Sequence, residues 1–334
     1  MIVKKIIFIL FLSLLLSCGE TLLGPDPENK PSENFRILWE NFDRHYSRFE
    51  LKGVDWDALY SIYQPLAADG VSGEELFEIT SALLSHLKDM HAILETPYGV
   101  YRYWPKEYEN FFDLKLIESN YLIETKKRSV FTYGELENNL GYIHIRSFGV
   151  DAVFFEIIDS IVREFENFNG VIIDVRNNGG GNSSNSQTVA SRFTDSKRIF
   201  SYNKYRNGPN HNDFSELFPS YIAPEGTKRF TKPIAVLTDR FTASAAEDFA
   251  MMMKVIPYVT TVGDTTLGAI GGSPKTRELP NGWVYRLSTA RNYSSDFISY
   301  EGVGIPPDIF VQSAESDSLS GKDPVLEKAI ELLQ

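Results

Sequence analysis

The sequence predicts an α/β protein in which a helical domain precedes a core of alternating strands and helices. Apolar side chains recur every three or four residues between positions 35 and 46, which is the pattern of a helix with one buried face. Beyond position 139, apolar runs at 141–145, 171–175 and 234–237 are each followed by a stretch with helical spacing. Such continuous runs are typical of strands that are buried on both faces of a sheet.

The amino terminus predicts export and a lipid anchor. Residues 1–17 have two lysines ahead of an apolar stretch that is too short to span a membrane, as in a signal peptide. The stretch ends in Leu15-Leu16-Ser17-Cys18, which resembles a bacterial lipobox; the alternative is an ordinary secretory signal with an incidental cysteine. Lipidation of Cys18 predicts a protein on the bacterial cell envelope, facing the periplasm or the exterior. Gly19 favours the outer membrane, because the aspartate that often retains lipoproteins in the inner membrane is absent.

Composition excludes some partners. The formal net charge is −12, whereas a protein that binds nucleic acid needs clustered positive charge to displace counterions. Cys18 is the single cysteine, so an internal disulfide and a thiolate metal site are excluded. No two histidines combine metal-ligand spacing with a carboxylate, so we predict no metal. The oligomeric state is left open.

The mature chain divides into four predicted parts. Residues 18–31 are rich in proline and polar residues and predict an extended tether. Residues 32–95 predict the N-terminal helical domain, and 96–138 a short connection with strands. Residues 139–334 predict the α/β core, with the polar stretch 202–232 as a lid or rim over its site.

His91 is the first candidate functional residue. It follows the last helix of the helical domain, directly before the apolar residues 92–94. A histidine in that place can be oriented by a neighbour and presented to another domain. The alternative is a structural histidine at a helix terminus.

Three glycines at 179–181 lie between the second core strand and a helix. Glycine lets the backbone approach a ligand closely and direct its N–H groups outward. The spacing lacks the GxGxxG pattern and the lysine of nucleotide-binding loops, so an anion-binding turn that faces a carbonyl oxygen fits better. A flexible surface turn is the alternative.

Ser244 lies where the strand at 234–237 gives way to the helix that begins near Ala245. Its neighbours are small, which leaves room for a substrate carbonyl to come within about 3 Å of a nucleophile. Free N–H groups at the helix start point toward such a position. The alternative is that Thr242 or Ser244 only caps the helix.

Five motifs in this order resemble the carboxyl-terminal processing protease family, to which tail-specific proteases and the tricorn core protease belong. They are GYIHIRSF, GVIIDVRNNGGGN, LTDRFTASAAEDF, TTVGDTTLGA and EGVGIPPDI, and the DMHA that ends the helical domain extends the resemblance to the tricorn-like branch. The resemblance implies a ClpP/crotonase-like β/α core with an appended helical domain. Many members also carry a PDZ domain, for which the stretch 92–139 is too short.

The resemblance also implies site residues. The nucleophile of the family falls on Ser244, and Ala269 stands where tail-specific proteases have their lysine base. The tricorn-like branch uses a histidine and a distant glutamate, which match His91 and Glu301. Its additional serine before the histidine is replaced by Met90. For Glu301 the alternative is a surface carboxylate beside a turn.

The implied oxyanion hole consists of the backbone N–H groups of Gly180 and Ala245. Together these residues predict a serine peptidase that hydrolyses peptide bonds through an acyl-enzyme without a cofactor. One alternative is a non-catalytic protein that binds apolar ligands on the same fold, as retinoid-binding relatives do. Another is a hydrolase of non-peptide acyl groups.

Overall fold

The computed structural model describes residues 27–105 and 108–334. The predicted signal peptide, the lipidation site Cys18 and the first part of the tether lie outside the described residues. Within the described ranges, no helix combines the length and the apolar character needed to cross a membrane.

The elements are numbered here in chain order. The α-helices are α1 (Pro31–His45), α2 (Phe49–Lys52), α3 (Trp56–Tyr63), α4 (Gly73–Ser85), α5 (Leu114–Asn120), α6 (Ile158–Glu164), α7 (Ser183–Ala190), α8 (Ala245–Lys254), α9 (Glu315–Leu319) and α10 (Pro324–Leu333). The strands before the serine helix are β1 (Ile93–Thr96), β2 (Gly99–Arg102), β3 (Thr125–Arg128), β4 (Phe131–Leu136), β5 (Leu140–Ile145), β6 (Gly170–Asp174), β7 (Arg198–Tyr205), β8 (Phe218–Ile222) and β9 (Ile234–Thr238). Those after it are β10 (Val259–Gly263), β11 (Pro274–Glu278), β12 (Val284–Ser288), β13 (Ala290–Ser294) and β14 (Ile309–Phe310).

Helices α1 to α4 form the predicted helical domain. The start of α4 is fixed by a capping box, in which the Ser72 hydroxyl accepts from the Glu75 N–H and the Glu75 carboxylate accepts from the Ser72 N–H. Leu38, Phe42 and Trp56 are buried in its core. The predicted periodicity therefore corresponds to a packed helical face.

The helical domain rests on a first sheet, with the antiparallel strand order β11-β12-β1-β2. Leu94 of β1 and Tyr285 and Leu287 of β12 pack into the helical core. Strands β11 and β12 come from the range predicted as core, so the chain returns to complete the helical domain. Helical periodicity gave no sign of this return, because the pairing joins segments far apart in sequence.

The central sheet has the order β14-β10-β9-β6-β5-β4-β3. Strands β5, β6, β9, β10 and β14 run parallel, as in a β/α core, and β3 and β4 extend the sheet antiparallel at one edge. The segment predicted as a separate connection thus supplies two strands of the core. Helices α6, α7 and α8 cover one face of this sheet, and α10 covers the other. The predicted α/β class is correct.

A third sheet, with the order β13-β7-β8, is antiparallel. Strands β7 and β8 occupy part of the stretch that predicts a polar lid at 202–232, so that stretch is built partly of strands. The segments that follow β6 and β9 lie at the carboxyl edge of the parallel strands, which is where open α/β sheets place their sites.

Candidate active site

A cavity of about 760 Å³ opens at this edge. Its walls come from the segment before β1, the glycine turn after β6, the turn before α8 and the third sheet. Parts of the chain that are remote in sequence therefore line one cavity. His91, Ser244 and Ala269 line it together.

Ser244 has a backbone conformation that L-residues rarely adopt, with φ 55° and ψ −120°. Such a turn costs on the order of 1–3 kcal/mol and persists only where the surroundings fix it. Here the Ser244 N–H donates to Glu247 Oε2 at 2.9 Å and to the Ala269 carbonyl at 3.1 Å. The strained turn between β9 and α8 lifts the hydroxyl toward the cavity, as in other strand-to-helix nucleophile turns.

The Ser244 hydroxyl lies 3.3 Å from His91 Nε2. The Thr242 hydroxyl instead donates to the Val175 carbonyl at 3.0 Å and so braces the turn from inside. The alternative of a helix cap therefore does not account for the position of Ser244. The structure brings together two predicted residues that are separated by 153 positions.

Glu247 is a further residue of the site that the sequence reasoning missed. Its carboxyl group is buried and accepts hydrogen bonds from the Thr266 hydroxyl and from the N–H groups of Gly268, Ala269 and Ser244. Burial raises the pKa of Glu247 to about 8, while the hydrogen bonds from Thr266, Gly268 and Ser244 act in the opposite direction. The Glu247 carboxyl group thus links the turn at Ser244 to the turn at 266–269. A capping-box spacing, serine followed three residues later by glutamate, was the signal that could have found it.

His91 is held by Asp89. The backbone N–H of His91 donates to Asp89 Oδ1 at 2.7 Å, and the ring nitrogen Nδ1 of His91 lies 3.8 Å from the same oxygen. Burial lowers the pKa of His91 to about 4; Asp89 opposes this shift, and the positive charges of Arg48, Arg286 and Arg102 add to it. The imidazole is thus neutral at pH 7 and able to accept a proton from Ser244.

Glu301, the predicted acid partner of His91, has a different position. Its carboxylate forms ion pairs with Arg48 Nη1 at 2.9 Å and Lys52 Nζ at 2.7 Å. Among the described residues it makes no hydrogen bond to His91, and Arg48 Nη1 also pairs with Asp89 Oδ2 at 3.0 Å. Asp89, rather than Glu301, is therefore the carboxylate beside the His91 ring, and Arg48 lies between the two carboxylates. The sequence reasoning passed over Asp89 and Arg48, although an aspartate two residues before the histidine was visible.

The predicted oxyanion hole is only partly arranged as expected. Ala245 is the first residue of α8, and its N–H donates no hydrogen bond within the described part of the chain. The Gly180 N–H is engaged, because it donates to Asn178 Oδ1 at 2.9 Å. Gly179 and Gly181 line the cavity, and their N–H groups have no acceptor among the described residues. Among the described residues, the free donors of the glycine turn are therefore the N–H groups of Gly179 and Gly181, whereas the Gly180 N–H is occupied.

Gly180 has a packing role. Its φ of +93° suits glycine, and a Cβ there would lie 2.6 Å from the Ala243 carbonyl and 2.8 Å from the Ala245 nitrogen. Both contacts are with backbone atoms, which cannot move aside. The glycine turn therefore rests directly on the serine turn, and only a residue without a side chain fits between them.

Comparisons with known proteins identify the family of the chain. The model of Peptidase family S41 matches residues 139–311, and the Tricorn protease C1 domain matches residues 27–85. The chain belongs to peptidase family S41. The first match covers the parallel strands of the central sheet and the Ser244 turn, and the second lies in the helical domain, so the predicted family and fold are confirmed.

Among individual relatives of this S41 chain, a Parabacteroides merdae protein described as a candidate peptidase has a crystal structure with a TM-score of 0.82 and 35% identity, covering 92% of this chain and 97% of that one. The tricorn protease of Thermoplasma acidophilum is 27% identical over 66% of this chain, and the carboxy-terminal processing protease CtpA of Bacillus subtilis is 29% identical over 53%. The aligned regions make up 19% and 36% of those two proteins, so this chain spans a minor part of each.

Ala269 occupies the position at which the resemblance places a lysine in one branch of the family. It is buried, its N–H donates to Glu247, and its carbonyl accepts from Ser244. A methyl group there supplies no base to Ser244, whereas His91 approaches the hydroxyl from the opposite domain. Within residues 27–105 and 108–334, no group of three or more His, Cys, Asp and Glu side chains is placed to hold a metal ion.

Proposed function

We propose that this S41 chain is a serine peptidase of the carboxyl-terminal processing type that cleaves peptides through an acyl-enzyme on Ser244. The observation that carries the proposal is the 3.3 Å contact between the Ser244 hydroxyl and His91 Nε2 inside the shared cavity. A serine hydroxyl is a weak nucleophile until a neighbouring base removes its proton, and a neutral histidine at hydrogen-bond distance can do so.

In the proposed reaction, His91 takes the Ser244 proton as Oγ attacks the peptide carbonyl. The negative charge that develops on the carbonyl oxygen is met by the Ala245 N–H at the start of α8 and by a glycine N–H of the 179–181 turn. His91 then donates its proton to the departing amine, and a water molecule releases the acyl group by the reverse sequence of proton transfers.

Asp89 stabilises the imidazolium that forms on His91, because its carboxylate oxygen lies 3.8 Å from Nδ1. Glu301 acts on His91 indirectly. It pairs with Arg48, which in turn pairs with Asp89. The helical domain supplies Arg48 and His91, while the central sheet supplies Ser244. Catalysis is therefore proposed to depend on the docking of the two parts.

For the location we propose the bacterial cell envelope, with a lipid anchor on Cys18. The support is the lipobox-like sequence at 15–18 and the proline-rich stretch that follows. The proposed substrates are peptides or proteins outside the cytoplasm.

The direct test is the intact mass of the full chain after exposure to a fluorophosphonate, compared with its Ser244→Ala variant. A single phosphonyl adduct on the parent that is missing from the variant is the expected result, since only an activated serine reacts at a useful rate. If the folded parent took up no adduct, the peptidase proposal would be refuted and a binding function on the same fold would be favoured.

The rate of adduct formation has an expected pH profile. Because the pKa of His91 is lowered to about 4, the base stays unprotonated, and labelling should hold its rate down to about pH 5 and fall only below that. Between about pH 4 and 6.5 the folded state binds fewer protons at His91 than the unfolded chain does, so this residue's contribution to stability rises with pH in that range. Pseudo-first-order labelling rates from pH 3.5 to 8 provide the measurement. A midpoint at pH 6.5 or higher would contradict the assigned environment of His91.

A further inference from the structure

Two arginines of the first sheet lie side by side on one face. In the strand register, Arg286 of β12 and Arg102 of β2 are both directly opposite Ile93 of β1. Residues that are directly opposite across neighbouring strands point to the same side of a sheet. Leu94, the next residue of β1, packs into the helical core, so Ile93 and the two arginines face the other way.

This face forms a wall of the active-site cavity. Arg102, Arg286 and Ile93 line the same space as Ser244 and His91. Strands lie about 4.8 Å apart, so the two arginine Cα atoms are about 10 Å apart across β1, and their long side chains can converge on one group. The positive charges of both arginines also act to lower the pKa of His91.

Neither arginine is neutralised by another residue of the described ranges. Among the described residues, Arg102 and Arg286 take part in no ion pair and donate no side-chain hydrogen bond, although the chain carries a net charge of −12. Glu95 shares their face two residues along β1, but it is exposed, forms no ion pair with them and does not line the cavity. Asp248 is the acidic residue among those lining the cavity, and it lies on α8, where it accepts from the Ser183 hydroxyl.

We propose that Arg102 and Arg286 together bind a carboxylate of the peptide substrate beside the scissile bond. This inference rests on the proposed peptidase function and adds a determinant of its specificity. Guanidinium groups suit the task because their planar N–H donors match the two oxygens of a carboxylate. The shared chemistry has two sources in a peptide, namely the terminal α-carboxylate and the side chain of Asp or Glu.

Binding of such a group also affects catalysis. The unneutralised arginines disfavour a proton on His91, and a carboxylate between them would offset their charge. The general base therefore becomes stronger when a matching substrate is in place. A peptide without a carboxylate at this position would bind less tightly, and His91 would be a weaker base in its complex.

The test uses the full chain carrying Ser244→Ala, so that peptides bind without turnover. The probes are rhodamine-labelled octapeptides of alanine and leucine in three forms: a free terminal acid, a terminal amide with one glutamate scanned through the positions, and a terminal amide with glutamine instead. Fluorescence anisotropy gives the affinities. We expect the free acid or one of the glutamate peptides to bind at least about tenfold tighter than its glutamine or amide counterpart.

In the Arg102→Gln, Arg286→Gln double variant this preference should disappear, and Arg102→Lys with Arg286→Lys should retain part of it. Arg277→Gln is the matched control, because Arg277 lies on β11 next to Tyr285, on the opposite face of the same sheet. It should keep the full preference. Preference for the free acid alone identifies a terminal carboxylate, and preference for a glutamate peptide alone identifies an acidic side chain; either result supports the proposal.

Three results would overturn the proposal: equal binding of the acidic and neutral peptides, a preference that survives in the Gln double variant, or no binding of any peptide. A second readout is the pH profile of fluorophosphonate labelling with Ser244 intact, whose midpoint should move upward in the Gln double variant and stay unchanged in Arg277→Gln. Failure of the parent to take up an adduct would refute the peptidase proposal. In that case the anisotropy measurement alone would test whether Arg102 and Arg286 bind a carboxylate.

Discussion

Ser244→Ala and His91→Ala are each expected to lower kcat/KM for peptide hydrolysis by about 10⁴-fold or more, and the double variant is expected to be little worse than either. The reason is that the hydroxyl and the imidazole, 3.3 Å apart, carry out one proton transfer together. Once either is missing, the other has no reaction to assist. The measurement is turnover of a quenched fluorescent peptide library by the full chain and the three variants.

His86→Ala is the control for this experiment. His86 follows α4 five residues before His91, is exposed, and has its ring nitrogen at 2.9 Å from the Tyr63 hydroxyl, outside the cavity. It should retain the parent activity. If the losses from Ser244→Ala and His91→Ala were instead to multiply in the double variant, the two residues would act independently and the shared mechanism would be wrong.

The second large effect is expected on stability, from Arg48→Met. Arg48 is 1% exposed and pairs with two buried carboxylates, Asp89 and Glu301. Methionine fills much of the volume but leaves both carboxylates without their shared cation, and loss of one partner of a buried ion pair costs about 3–5 kcal/mol. We expect a decrease of that size in the free energy of unfolding, measured by urea denaturation at pH 7.

Arg36→Met is the matched control, since Arg36 lies in α1 and its ion pairs with Glu33 and Glu40 are largely solvent-exposed. Its cost in the free energy of unfolding should stay below about 1 kcal/mol.

The pH dependence of stability distinguishes the contribution of the ion pair from that of side-chain packing. Burial acts to raise the pKa of Asp89, but Arg48 and other cations outweigh this effect and hold that pKa well below its usual range. The stabilisation of the folded protein by these cations is therefore present above about pH 4 and lost below it. The gap between parent and Arg48→Met should therefore narrow in acid; a gap that is independent of pH would mean that packing, and not the ion pair, is responsible.

The parts of the molecule that follow from local pattern were predictable. Strands β5, β6 and β9 are short apolar runs, and α4 carries its own capping box, so neighbouring residues are enough to specify them. The stretch 202–232 was harder, because β7 and β8 are partly exposed strands with polar residues, whose pairing is set by a partner strand and not by their own periodicity.

By itself, the sequence determined the α/β class, the family, and the residues Ser244 and His91 as partners, because motif order and residue type are local properties that survive without coordinates. Only the tertiary structure decided which charges meet. It put Arg48 between Asp89 and Glu301, and it set Arg102 and Arg286 across one strand from each other. Electrostatic interactions depend on distances of a few ångströms between groups that are remote along the chain, and the fold alone sets those distances.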